Sequence, residues 1–173
     1  MPEEKVILVN EKDIEQGTMN KMEAHEKGKL HRAFSVFLFN DKGELLMQKR
    51  ASGKYHSPEL WTNTCCSHPR PNEDLKSAGL RRLYEEMGIK DAEIKKEFSF
   101  IYKEDVGQGL TEHEYDHIFF GIYSGEPKIN EHEVCEWKYI SLDQLKQEIQ
   151  INPANYTIWF KILFDKVKKH ILK

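Results

Sequence analysis

The segment LKSAGLRRLYEEM, residues 75–87, constrains the fold most. Asn72 and Asp74 stand ahead of it as candidate N-caps, and Gly88 stands just behind it. A side-chain oxygen satisfies the free N–H groups of a first turn, and glycine accepts the left-handed conformation that ends a helix. This helix is set among strand-like runs. VILVN (6–10) reads as a short strand, and AFSVFLFN (33–40), DKG and ELLMQKR (44–50) read as a β-hairpin. Further strands are expected over 97–104, 115–123 and 136–140. Residues 51–71 hold Gly53, Pro58, Pro69 and Pro71 and are expected to be mostly loop.

Two more helices follow. Ser141 precedes LDQLKQEI as a cap, and YTIWFKILFDKVKKHIL has helical apolar spacing with lysines late, where the dipole favours them. Strands in the middle and helices around them make an α+β fold, a mixed sheet between helices. The polar stretch 11–31, which holds His25 and His31, gives no clear element.

The chain has 173 residues, enough for one domain with a real core, so a single domain over 1–173 is expected. It carries 26 basic and 29 acidic residues, a net charge of −3, which leaves no broad basic surface for nucleic acid. No apolar run reaches membrane-spanning length, and MPEEKVILVN lacks the layout of a signal peptide. The expectation is a cytoplasmic protein away from the membrane. No apolar helix face calls for a partner, so a monomer is expected.

Two of the three cysteines, Cys65 and Cys66, stand side by side in TNTCCSHP, ahead of His68. A disulfide, a metal site and a reactive thiol are all open readings. Adjacent cysteines close a disulfide only with strain, and a cytosol would reduce it. Cys65 is expected to pack and Cys66 to face the other way, since neighbours on an extended segment alternate. Cys135 is expected to be a small core residue.

The register Ser67, Glu73, Arg81-Arg82-Leu83, Glu85-Glu86, Gly88-Ile89 resembles the Nudix box, a loop–helix–loop that binds a divalent metal and a diphosphate. Ser67 takes the place of the first glycine, and Arg82 that of the glutamate after the arginine. Positions 82 and 86 are one helical turn apart. A face with Glu86 and Arg82 can hold one cation and still grip a phosphate, which suits binding a diphosphate better than cleaving it.

TNTCCSHP, the box with arginine at 82, and Glu112-His113-Glu114 together resemble the type 1 isopentenyl-diphosphate isomerases, which have a modified Nudix fold. The resemblance runs from Gly17-Thr18 to the region of Trp159. It implies a Nudix-like α/β/α sandwich. It also implies interconversion of isopentenyl and dimethylallyl diphosphate by protonation and deprotonation through a tertiary carbocation-like intermediate, in isoprenoid biosynthesis.

The resemblance carries residue roles with it. Cys66 and Glu114 match the catalytic pair, and Tyr102 a tyrosine that helps Glu114 deliver a proton. His25, His31, His68, Glu112 and Glu114 match the ligands of one divalent metal, Mn²⁺, Mg²⁺ or Zn²⁺. Glu86 matches the ligand of a Mg²⁺ that arrives with the substrate diphosphate. Lys21, Arg50, Lys54 and Arg82 match phosphate contacts. Trp159 offers an indole face to a developing cation, and Trp61 either lines the same cavity or packs. His56, His113, His117, His132 and His170 are given no role. A Nudix hydrolase and a zinc-stabilised binding module are the rival readings.

Overall fold

In the computed structural model, residues 4–172 are described; residues 1–3 and 173, the extreme ends of the expected domain, lie outside the described residues. In chain order the elements are β1 (Lys5–Val9), β2 (Glu15–Asn20), α1 (Lys21–Lys27), β3 (His31–Phe39), β4 (Leu45–Arg50), β5 (Trp61–Thr62) and β6 (Cys65–Ser67). Then come α2 (Leu75–Met87), β7 (Glu93–Gly107), β8 (Leu110–Ile122), β9 (Val134–Ile140), α3 (Leu142–Ile151) and α4 (Ile158–Ile171).

Strand β3 is the axis of the sheet. Along one edge it pairs in parallel with β8, from His31 opposite Glu114 to Phe39 opposite Ile122. Its other edge is shared by β1, β6 and β4, all antiparallel. The sheet is therefore mixed, as expected. Strand alternation divides the core. Phe34, Val36, Leu38 and Leu46 pack with Leu83 and Met87 of α2. Phe37, Leu45 and Met47 pack on the other face with Phe160 and Leu163 of α4. Helices on both faces make the α/β/α sandwich.

The α2 boundaries follow from the two predicted signals. Of the two candidate caps, Asp74 is the one used: its carboxylate accepts the Ser77 N–H at 3.1 Å. Gly88 sits at φ 65° with its N–H on the Leu83 and Tyr84 carbonyls. A Cβ there would come within 2.6 Å of the Lys128 carbonyl oxygen, so both conformation and space demand glycine.

Elsewhere the structure departs from the sequence-based expectation. The polar stretch 11–31 contains β2 and α1, because β2 is made by pairing with β1 rather than by burial; its first four residues are exposed. The expected loop 51–71 contains β5 and β6, short strands held by β4 and β3. Strand β7 begins four residues before the predicted start, since β8 pairs with it that far. Cys135 is exposed, not in the core: Val134 takes the inward position of β9 and its neighbour points out.

Candidate active site

Five predicted ligands meet at one end of the sheet. His25 comes from α1, His31 from the start of β3, His68 from just after β6, and Glu112 and Glu114 from β8. One ligand atom from each lies within 4.8 Å of all the others. The parallel register puts His31 beside Glu114, and the period of two puts Glu112 and Glu114 on one face. His113 points the other way, to the Gly28 carbonyl at 3.0 Å.

The tautomers of two histidines follow from their backbone partners. A carbonyl oxygen only accepts, so His25 Nδ1 donates to Lys21 O at 2.6 Å and His31 Nδ1 to Lys29 O at 2.9 Å. In the neutral rings each Nε2 is then a bare lone pair. His25 Nε2 is 3.2 Å from Glu112 Oε1, and His31 Nε2 is 3.3 Å from Glu114 Oε2. His68 Nε2 is 2.8 Å from the same Glu114 oxygen. With both sides acceptors, each of these buried contacts is closed by a positive species between them, a proton on the ring or a bound metal ion. His31 Nε2 and Glu112 Oε2 are buried with no hydrogen-bond partner among the described residues, and a backbone carbonyl that fixes the ring through its other nitrogen is what metal-binding histidines use. The five side chains fit a divalent metal.

Burial pulls His25 down, but the Glu112 carboxylate beside it raises it above the usual histidine range. Burial pushes Glu114 up, but the His31 imidazole beside it outweighs that and holds the carboxylate down at about 2. Burial, then His31 and His25, push His68 well below the usual histidine range. A neutral imidazole next to ionised carboxylates is the state that binds metal.

Beside this group lies a small cavity of about 40 Å³, lined among others by Cys66, Tyr102, Glu114, Arg50 and Trp159. The Tyr102 hydroxyl donates to Glu114 Oε1, as the β7–β8 register, which pairs these two residues, allows. Cys66 Sγ is 3.0 Å from Asn63 Oδ1 and 3.4 Å from Ser35 Oγ. Burial, followed by the charge of Asp116, pushes the thiol well up, so it rests protonated. The Trp159 ring is 5.3 Å from the His56 ring, and the Arg50 guanidinium lies 5.1 Å from its centroid. Trp61 is not among the cavity residues; it packs at the edge of the α4 core under Lys138.

The opposite face of β6 belongs to α2. Cys65 is fully buried there, and its thiol donates to Glu86 Oε2 at 3.1 Å, a polar contact that packing alone did not anticipate. Gln48 donates to Glu86 Oε1 and Arg82 to Oε2, at 3.1 and 3.2 Å. Oε1 thus accepts one hydrogen bond and keeps a lone pair for a cation.

Of the predicted phosphate contacts, Arg50 donates to the His56 carbonyl at 3.1 Å, and Lys21, Lys54 and Arg82 are held by carboxylates. Lys21 pairs with Glu4 at 2.7 Å, Lys54 pairs with Glu133, and Arg82 reaches the same Glu133 oxygen at 3.5 Å. Lys21 and Lys54 both lie against the Tyr55 ring.

Several site neighbours carried no sequence signal. His56 is buried with Nε2 2.8 Å from Glu112 Oε1, although it lies in the Gly- and Pro-rich stretch. Ser35 and Asp116 come to Cys66 only through strand adjacency, whereas Asn63 reaches it from three residues away in the same segment. Asp116 alone had a usable cue, since it continues the alternation of Glu112 and Glu114 on β8.

This sandwich, with a box helix on one face of the sheet and side chains that fit a divalent metal on the other, defines a Nudix-domain protein. The NUDIX domain family matches residues 29–160. Solved structures agree on the fold: Deinococcus radiodurans DR0079 superposes with a TM-score of 0.78 at 18% identity, over 94% of this chain and 98% of that one. Within that class the chain belongs to the isopentenyl-diphosphate Delta-isomerase family. Isopentenyl-diphosphate Delta-isomerase 2 of Aromatoleum aromaticum is 50% identical over 165 residues, 95% of this chain and 87% of the relative. The isomerase of Pectobacterium atrosepticum is 46% identical, over 96% of this chain and 93% of the relative.

Proposed function

We infer that this chain interconverts isopentenyl diphosphate and dimethylallyl diphosphate, as one domain working as a monomer in the cytoplasm, where its thiols stay reduced. The observation that carries this reading is a thiol and a phenol–carboxylate pair lining one small cavity. An unactivated alkene is a poor base, so its protonation needs a placed acid, a base for the neighbouring carbon, and little water.

In the forward reaction one proton joins the terminal alkene carbon and one leaves the carbon two positions away, so the formula is unchanged. Cys66 and Glu114 divide these tasks, with the Tyr102 hydroxyl passing the proton on the Glu114 side. Each is acid in one direction and base in the other. Between the two transfers the carbon skeleton is cationic. The indole face of Trp159 stabilises it without offering a nucleophile.

His25, His31, His68, Glu112 and Glu114 would hold Mn²⁺, Mg²⁺ or Zn²⁺. Such an ion supplies a fixed charge that positions Glu114 and sets its acidity. Glu86 would hold the Mg²⁺ that accompanies the diphosphate, with Lys21, Arg50, Lys54 and Arg82 on the phosphate oxygens. The cavity is small, and a five-carbon chain entering it displaces water from beside Cys66 and Glu114. The carboxylates of Glu4 and Glu133 give up their lysines to the diphosphate at the same step.

The test is direct. Purified protein with Mg²⁺ and Mn²⁺ should convert isopentenyl diphosphate to the dimethylallyl isomer without releasing phosphate. Phosphate release without isomer would turn the assignment to a hydrolase.

A further inference from the structure

We propose that Ser35, fixed by the buried carboxyl of Asp116, is the positioning residue for Cys66, and that Asp116, Ser35 and Cys66 act as a unit. This rests on the isomerase reading above. The argument begins with topology. β6 lies against one edge of β3 and β8 along the other, so a β3 side chain on the cavity face can touch both neighbours. Ser35 pairs with Cys66 across the antiparallel ladder. In the parallel register its partner is Ile118, two residues beyond Asp116.

The contacts use that position. Ser35 Oγ donates to Asp116 Oδ2 at 2.8 Å and to Oδ1 at 3.1 Å, and it is 3.4 Å from Cys66 Sγ. Ser35 is 2% exposed and Asp116 is 0%. Among the described residues, Ser35 is the hydrogen-bond donor to the Asp116 carboxyl. A carboxyl buried with one hydroxyl for company is costly, and an apolar residue there would hold β8 to β3 at less cost. A carboxyl kept at such a position has a use beyond packing.

That use follows from counting protons. A serine hydroxyl has one, and it is spent on Asp116, so lone pairs face the sulfur. Asn63 presents the same face. Both of its amide protons go to the Val36 and Cys65 carbonyls, and Oδ1 accepts from the Cys66 thiol at 3.0 Å. The sulfur lies 3.0 Å from Asn63 Oδ1 and 3.4 Å from Ser35 Oγ, and its one proton is shared between these two oxygens, neither of which returns a proton to it. Asp116 keeps Ser35 from turning its own proton onto the sulfur, and the thiol proton stays in a fixed position at the cavity wall.

The experiment compares Ser35→Ala, Ser35→Thr, Asp116→Asn and the Ser35→Ala/Asp116→Asn double variant. Two readouts are taken: steady-state isomerisation, and alkylation of Cys66 by iodoacetamide mapped by fragment-ion mass spectrometry. Exposed Cys135 serves as the internal control. Misorientation of a reacting group costs about 10- to 100-fold, so Ser35→Ala should lower kcat by that amount with KM within about threefold. Cys66 alkylation should slow several-fold while Cys135 is unchanged. Ser35→Thr keeps the hydroxyl and should recover most of both. The double variant should be no worse than Ser35→Ala, because Asp116 acts through Ser35.

A Ser35→Ala enzyme with parental kcat, or additive losses in the double variant, overturns the proposal. So does unchanged or faster Cys66 alkylation. Melting curves identify a variant that fails to fold, and Ser35→Ala and Asp116→Asn probe the unit independently. If the parent shows no isomerisation, the isomerase reading falls, while the alkylation comparison still decides whether Ser35 and Asp116 place the sulfur.

Discussion

Cys65 and Cys66 are consecutive residues on opposite faces of the sheet: one sulfur is 3.1 Å from Glu86 Oε2, the other 3.4 Å from Ser35 Oγ. Strand β6 therefore divides the box helix from the thiol–carboxylate cavity with a single peptide unit. The two cysteines should behave differently on substitution. Loss of a placed acid–base group typically costs about 10²- to 10⁴-fold, so Cys66→Ala should lose turnover at or beyond that scale. Cys65→Ala removes only a donor to Glu86 and should retain most of kcat. Turnover assays on the two variants check this, and equal losses would show that the wrong sulfur carries the chemistry.

The histidine–carboxylate group ties α1 to β8 through His25 and Glu112, so a bound dication should stabilise the fold. Saturation at about 100 times Kd is worth about 2.7 kcal/mol. Chelation should lower the melting temperature and speed amide exchange in α1, and His31→Ala should abolish the metal-dependent part. Identical exchange with and without chelator would mean that no ion binds there.

Glu133 holds Lys54 and Arg82, two of the side chains that the proposed function puts on the diphosphate. Burial pushes its carboxylate up, but Lys54 and then Arg82 bring it below its usual range, so it is ionised at neutral pH. Glu133→Gln removes that competitor and should tighten inorganic pyrophosphate binding several-fold in titration calorimetry. Weaker binding would instead make Glu133 part of the Mg²⁺–diphosphate site.

On the far face of β8, His117 is buried 3.0 Å from Asp13, and burial, then Lys96, brings its imidazole down to about 4. The unfolded chain takes up a proton near pH 6.5, where the folded one does not. Stability from this residue is therefore present above about pH 6.5 and lost as pH falls towards 4. Metal-free protein should melt at lower temperature across that window, and His117→Phe should flatten the slope. An equally steep slope in the variant would place the acid sensitivity elsewhere.

What could be read in the sequence was whatever depends on local periodicity and short motifs. The α2 helix needed only Asp74 and Gly88, and the common face of Glu112 and Glu114 needed only the strand period. What could not be read depends on partners far along the chain. β2 and α1 are too polar to announce themselves, and β2 exists because β1 is there to pair with it. Ser35 in a core strand looks like a tolerated small residue until β6 and β8 bring Cys66 and Asp116 to its two sides. His56 is silent in a loop until folding sets it against Glu112. Cys135 is exposed because alternation decides burial in β9, and the inward position falls to Val134.

The central claim is that Cys66 and Glu114 exchange protons with the two ends of an allylic carbon unit. The measurement that tests it most directly is turnover in deuterium oxide by the parent and by Cys66→Ala and Glu114→Gln. The parent should yield dimethylallyl diphosphate carrying deuterium in a methyl group, and each variant should yield almost none. Deuterated product from either variant at the parental rate, or isomer formed without deuterium, would contradict it.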